Sequence, residues 1–368
     1  MISTYLKKIS IINYKNLIDK EYNLDPKINC FVGNNGVGKT NILDSIYHLA
    51  LGKSYFNLRN DQLVNRNQDF MVIDGLFELN NKKENIVCSI KRGDKKVLKR
   101  NGKPYKKFSN HIGLIPIVLI SPYDNDLINE GSSERRKFID SIISQNSKEY
   151  LINLIAYSRA VQNRNILLKQ YNKSVDFDLD TIKIYNDQII QLSKPIFIAR
   201  KKFFNEFKEI VIEKYAQISE NQEEISIEYK SDLFENDIEN LIENSFQKDV
   251  ILQYTSTGVH KDDFIFNLDG SRIKKFGSQG QQKSFLIALK LAQFEYLKNK
   301  TGNSPILLLD DIFDKLDLLR VKKIVEIVNS TNFGQLFLSD TDRDRIEKVL
   351  SSLNLSSKIF DVWKEIIN

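Results

Sequence analysis

Apolar positions along this chain recur with two periods, and the changes of period divide it. From Tyr5 to Val32, Ile9 and Ile11, and then Ile28, Cys30 and Val32, alternate with their neighbours. This predicts strands, the second running straight into a glycine-rich loop. From Thr40 to Leu51 the spacing turns helical, with Ile42, Leu43, Ile46 and Leu49 on one face and Gly52 as the stop. Residues from Phe70 to Lys107 return to short antiparallel strands, with Asn101-Gly102 as a hairpin turn. Ile115 to Ile120 is apolar and rich in β-branched residues, which predicts a buried strand.

From about Ser132 to Tyr215 long helical stretches dominate, broken by turn-forming residues near Ser174 to Asp178 and by Pro195. An acidic stretch follows around Glu220 to Glu243, and from Thr257 onward strands and helices alternate again. Phe285, Ala288, Leu289, Ala292 and Tyr296 mark a helix; Ile306 to Leu309 and Leu336 to Leu338 mark buried strands. The prediction is an α/β head made of 1–131 and 250–368, with an antiparallel β subdomain at about 65–112, and an inserted, mainly helical lobe at 132–249. The lobe has too few residues and too little heptad regularity for a very long coiled-coil arm.

Composition narrows the class only a little. A chain of 368 residues can bury a large core, and a net charge of +6 permits an acidic partner without demanding one. Cys30 and Cys88 are the only cysteines and form no C-x-x-C pair, which argues for a reducing compartment and against zinc or disulfides. No apolar segment follows the first residues and none approaches a membrane span, so a cytoplasmic protein with no membrane partner is expected.

The chemistry begins at Gly33-Asn34-Asn35-Gly36-Val37-Gly38-Lys39-Thr40, a G-x-x-x-x-G-K-[ST] loop between a predicted strand and helix. Glycines let the backbone N–H groups curl around phosphates, and the helix adds its positive end. Lys39 would reach the β and γ phosphates of ATP, and Thr40 would place its hydroxyl on Mg²⁺. The apolar strand ending in Asp310-Asp311 supplies the other half. Asp310 is the natural Mg²⁺ carboxylate, while Asp311 either orients or deprotonates the attacking water or merely begins a turn.

A second motif, Ser278-Gln279-Gly280-Gln281-Gln282, opens the helix of Phe285. It is either a plain helix cap or a phosphate sensor acting on the nucleotide of a neighbouring chain. The arrangement resembles the signature motif of ATP-binding-cassette (ABC) ATPases, which would put Ser278 and Gly280 at a γ-phosphate and Gln281 among the nucleotide-binding residues. In order, the segments resemble the RecF family of bacterial recombination-mediator ATPases, relatives of the SMC proteins. The carrying residues are Ile11 to Asn16, Gly33 to Asp44, Leu51 to Ser54, Ser121 to Asp124, Ser133 to Arg136, Arg164-Asn165, Gly258 to Asp263, Phe276 to Gln282 and Leu307 to Asp311.

That resemblance implies an ABC-type P-loop ATPase head with an inserted helical lobe. It implies a slow ATPase that dimerises on ATP, binds duplex or gapped DNA, and helps load RecA with RecR and RecO. Catalysis would rest on Lys39, Asp311 and Ser278. Several positions depart from the family pattern: Val259 for Pro, Tyr123 for Glu, Tyr55-Phe56 for a His-Arg pair, and Lys315 for an acid. Ser339-Asp340-Thr341 stands where a switch histidine is expected, leaving Asp340 or Thr341 as γ-phosphate sensors.

The densest basic segment runs from Lys91 to Lys107, and strand alternation would place many of its cations, including Lys95, Lys96, Lys99 and Arg100, on one face suited to DNA phosphates. A solvated surface hairpin is the alternative reading. Arg135, Arg136, Arg159 and Arg164 are expected in ion pairs, His260 in hydrogen bonds within the fold, and Phe203, Phe204 and Phe207 in the core. A transporter nucleotide-binding subunit and an ATP-switched scaffold of a defence system are the rival classes.

Overall fold

The structure, a computed structural model, describes residues 4–56, 58–171, 179–220, 223–311, 334–351 and 356–363. The expected turn at Ser174 to Asp178 and the departure at Lys315 lie outside the described residues. The chain divides into two compact units, 1–124 with 284–368, and 125–283. Residues 250–283, which the sequence pattern alone groups with the ATPase head, therefore belong with the second unit.

The first unit holds two sheets and one central helix. Strands β1 (Thr4–Tyr14), β2 (Leu17–Asn23), β4 (Phe70–Leu79), β5 (Lys82–Lys91), β6 (Val97–Arg100) and β7 (Lys103–Pro104) form an antiparallel sheet in the order β2-β1-β4-β5-β6-β7. The antiparallel layer thus extends beyond the expected 65–112 to include the first two strands. Asn101 (φ 49°) and Gly102 (φ 77°) both take positive φ at the β6–β7 turn, as a two-residue hairpin of the primed type requires.

The other sheet is parallel. It contains β3 (Ile28–Val32), β8 (Ile117–Ile120), β12 (Ile306–Asp310), β13 (Leu336–Asp340) and β14 (Ser357–Asp361), in the order β14-β3-β13-β12-β8. Its central strands are buried on both faces, hence their continuous apolar runs. Between the sheets lies α1 (Lys39–Leu51), whose Ile42, Leu43, Ile46 and Leu49 join Ile9, Ile11, Met71, Phe31, Leu308 and Phe337 in one core. The sequence predicts one apolar face for α1, but the helix is buried nearly all round. Its polar residues are satisfied internally: buried Asp44 accepts from Tyr14 Oη (2.5 Å), Ser54 Oγ (2.8 Å) and the Tyr55 N–H (2.7 Å), and pairs with Lys15 at 2.6 Å. Gly52 (φ 66°) closes the helix with its N–H on the His48 carbonyl. The short helix α2 (Asn60–Leu63) follows.

The second unit contains α3 (Asp126–Asn129), α4 (Ser132–Asn146), α5 (Lys148–Tyr171), α6 (Leu179–Ser219) and α7 (Ile238–Leu252), with a small sheet of β9 (Ile225–Lys230), β10 (Asp263–Leu268) and β11 (Ser271–Arg272). The helix α8 (Ile273–Phe276) and the first turn of α9 (Gln279–Thr301) complete it. Phe203 and Phe207 are buried and stacked at 4.7 Å, and Phe204 packs on Tyr229 and Phe264.

Buried charges tie these elements together. Arg200 on α6 pairs with Asp262 (2.7 Å) and Asp140 (2.9 Å), while Tyr229 Oη donates to Asp262 at 2.7 Å. Arg164 pairs with Asp249 at 2.6 Å, Arg135 with Asp263 at 2.8 Å, and Arg136 donates to the Asp262 carbonyl at 2.6 Å; Arg159 is exposed. His260 Nδ1 lies 2.6 Å from Tyr157 Oη and its Nε2 is 2.9 Å from the Thr255 carbonyl, so a neutral imidazole accepts from one and donates to the other. Burial pushes its pKa down to about 4.

Candidate functional site

All five strands of the parallel sheet run the same way, so Val32, Ile120, Asp310, Asp340 and Asp361 end at one edge. Ligands in open parallel sheets gather at that edge. There β3 releases the loop 33–38, with Gly36 at φ 81° and Gly38 at φ 112°. A Cβ on Gly38 would also sit 2.7 Å from Leu17 Cδ2, so this position needs glycine for both conformation and space. Gly33 needs only space: its Cβ would lie 2.3 Å from the Val362 carbonyl oxygen. The end of β14 braces the loop, with the Val362 N–H donating to Val32 O at 2.7 Å.

Two side chains outside the nucleotide motifs join this site. Asn16 Nδ2 donates to Gly36 O at 3.3 Å, and its Oδ1 accepts from Asn41 at 2.7 Å, stapling the loop to the first turn of α1. Ser339 Oγ lies 2.8 Å from Asp310 Oδ1. Lys39 is buried, and its Nζ rests on the carbonyls of Gly33 (2.8 Å) and Asn34 (3.2 Å). An ammonium held by the loop's own carbonyls is ready to exchange them for phosphate oxygens.

Thr40 Oγ1 donates to Asp310 Oδ1 at 2.9 Å, joining residues 270 positions apart, and Ser121 Oγ stands 3.4 Å from Asp310 Oδ2. Asp310 is 2 % exposed, and burial raises its pKa above the ordinary carboxylate value. A hydroxyl and a carboxylate in contact, both hard oxygen donors, suit Mg²⁺, which takes few protein ligands and keeps several waters. Asp311 takes φ 44°, and its N–H donates to Ser339 Oγ at 2.9 Å. Its side chain is 3.3 Å from the same hydroxyl. The shorter contact gives the one Ser339 proton to Asp310.

Two further acids here are committed elsewhere. Asp340 binds Arg345 (2.5 and 3.0 Å) and the Asp342 N–H (2.8 Å). Asp124 is paired at 2.7 Å with Lys290 on α9, and it also accepts from the Ser121 N–H (2.8 Å) and from Tyr55 Oη. Two of the departures from the family pattern meet in space. Phe56 and Tyr123 pack edge to face at 5.0 Å, with Tyr55 beside Phe56 at 5.6 Å.

In the second unit, Ser278 and Gln281 form a reciprocal cap at the start of α9. The Gln281 N–H points at Ser278 Oγ (3.3 Å), and Gln281 Oε1 accepts from the Ser278 N–H (2.7 Å). Ser278 Oγ acts as the acceptor in this cap, so its own O–H is not used by it. Gln281 also donates from Nε2 to Glu223 at 2.9 Å, so its amide is held at both ends beside Ser278. Its neighbour Gln282 holds the approach to the helix through the Gly277 carbonyl at 2.9 Å.

The basic hairpin is less uniform than its sequence. Arg100 makes a bidentate pair with Glu84 (2.8 and 2.7 Å), and Lys96 Nζ donates to Gly52 O at 2.5 Å beneath the Phe108 ring. Register explains Arg100, because it faces Ile86 on the core side of the sheet while Lys99 faces Val87 on the other. Alternation therefore splits these cations between faces. Lys95, Lys99, Lys103, Lys106 and Lys107 remain exposed, and Lys95, Lys96 and Lys106 border a cavity of about 540 Å³ with Tyr105 and Phe108.

Residues 5–359 match the RecF/RecN/SMC N terminal domain. The chain is 55 % identical over 358 residues to the DNA replication and repair protein RecF of Flavobacterium johnsoniae, covering 97 % of this chain and 100 % of that one. It is 44 % identical to the RecF of Parabacteroides distasonis, with 97 % of each covered. A solved structure of the recombination mediator protein RecF with ATP, in the RecFOR pathway, superposes with TM-score 0.85 at 28 % identity, covering 93 % of each chain. The Smc head domain of Pyrococcus furiosus shares the fold, with TM-score 0.58 at 16 % identity over 98 % of this chain and 94 % of that one. Given a P-loop, a metal-suited Thr40–Asp310 pair and these near full-length matches, the chain belongs to the RecF family, with the α/β architecture of an ABC-type ATPase.

Proposed function

We propose that this protein is an ATP-gated DNA clamp of replication and repair, in which ATP joins two copies, the pair holds duplex beside a single-strand gap, and slow hydrolysis releases it. The observation that carries this reading is the division of labour between the two motifs. Lys39, Thr40 and Asp310 converge in one unit, while the Ser278 cap opens α9 in the other. A phosphate sensor that is not needed by the P-loop of its own chain finds its use on the nucleotide of a second copy.

In this mechanism the loop 33–40 binds ATP, and Lys39 trades two neutral carbonyls for β and γ phosphate oxygens, a stronger charge-assisted contact. Thr40 and Asp310 would hold Mg²⁺, which would neutralise phosphate charge. Asp311, oriented through Ser339, positions and accepts a proton from the attacking water. Ser278 and Gly280 of the second copy close over the γ-phosphate, so binding energy available only in the paired state biases the protein toward closure. Exposed Lys95 and Lys99 meet DNA phosphates without reading sequence. The RecFOR setting of the solved relative supports RecR and RecO as pathway partners.

Light scattering with ATP and Mg²⁺ tests the reading. The wild-type mass should double, and a Lys39→Arg variant should remain monomeric while keeping its fold. Unchanged dimerisation of that variant would sink the mechanism.

A further inference from the structure

Gln281 Nε2 donates to Glu223 Oε1 at 2.9 Å, and the other oxygen of the same carboxylate accepts from Tyr215 Oη on the last turns of α6. Tyr215 is fully buried, and α6 runs 41 residues through the lobe. Both oxygens of one half-buried carboxylate are therefore spent between the cap of α9 and the far end of the longest described helix. We propose that Glu223 is a positioning residue of the composite ATP site, fixing the Gln281 side chain that orients Ser278 and linking that cap to α6.

The physical case rests on what Gln281 would do without it. Its Oε1 accepts from the Ser278 N–H, and an amide anchored at one end only can rotate, loosening the hydroxyl that faces the second copy. A hydrogen bond to a carboxylate is stronger than a neutral one, so the tie is a real constraint. Tyr215 makes it a two-way constraint: a displacement of the end of α6 moves the Glu223 carboxylate and, through Gln281, the cap. Glu223 also lines a cavity of about 400 Å³ with Ile212, Ala216, Glu224, Ile225 and Asp269. Truncating it enlarges space already present and opens no new hole in the core.

This inference rests on the paired-copy reading, and the test separates the two. Nucleotide affinity of the single chain, followed with a fluorescent ATP analogue at low protein concentration, is compared with ATP-driven dimerisation by sedimentation for wild type, Glu223→Ala, Glu223→Gln and Tyr215→Phe. Glu223→Ala should weaken dimerisation about tenfold while leaving single-chain nucleotide affinity within about twofold. Glu223→Gln, which can accept from Gln281 and donate to Tyr215, should restore most of it, and Tyr215→Phe should fall between. Wild-type strength in Glu223→Ala, an equal loss in Glu223→Gln, or no effect of Tyr215→Phe would overturn the assignment. A wild-type chain that stays single with ATP would instead overturn the paired-copy reading itself.

Discussion

Lys290 is the buried cation on which the α9 anchor depends, and replacing it gives a number that can be worked from the structure. In Lys290→Met the stem is nearly conserved, but Asp124, 2 % exposed, loses an ammonium at 2.7 Å. Breaking a buried pair from one side costs about 3–5 kcal/mol. Asp124 keeps the Ser121 N–H at 2.8 Å and the Tyr55 hydroxyl, so the lower end, about 3 kcal/mol, is expected. For a unit of this size that lowers Tm by about 6–12 °C. Adding Asp124→Asn removes the orphaned charge and should return most of the loss, a coupling between neighbours that a double-mutant cycle isolates. Urea unfolding followed by circular dichroism reads both variants. A cost below about 1 kcal/mol, or a double variant no better than the single, would refute the view that this pair anchors α9.

Three further outcomes follow from particular contacts. His260 is neutral in the fold, with a pKa of about 4 against an ordinary value near 6.5, so its contribution is complete above about pH 6.5 and is lost as pH falls toward 4. His260→Gln should flatten that part of the stability profile, which acid titration of the urea midpoint would show. Gly33→Ala must displace the Val362 carbonyl that its Cβ would meet at 2.3 Å, and should weaken nucleotide binding at least tenfold by calorimetry. Charge reversal at Lys95 and Lys99 together should weaken duplex binding and reduce its salt slope by about two, whereas Arg100→Gln, already paired with Glu84, should leave the slope unchanged.

Whatever chemistry is local in the chain is legible in the sequence. The loop 33–40 announces itself because its glycines must sit at fixed offsets, and the burial of β3, β12 and β13 appears directly as apolar runs. Contacts between distant segments leave no local trace. Ser339 on Asp310, Val362 against Gly33 and Lys290 on Asp124 join residues brought together by sheet order or helix packing, and neither is written in any short stretch. Arg100 misleads for a related reason. It lies in a lysine-rich segment, but its neighbours in the sheet are Ile86 and the carboxylate of Glu84. The burial of α1 on nearly all sides likewise shows only once a second sheet covers it.

The central claim, that one chain's P-loop works with another chain's Ser278, is tested most directly by mixing two defective copies. Lys39→Ala lacks a working P-loop and Ser278→Arg lacks a working cap, so each alone should hydrolyse ATP poorly. Their mixture assembles one complete site per mixed pair, and ATPase activity should reappear and peak near equal proportions. A mixture no more active than the sum of its parts, or a Ser278→Arg protein that hydrolyses ATP at the wild-type rate, would contradict the account.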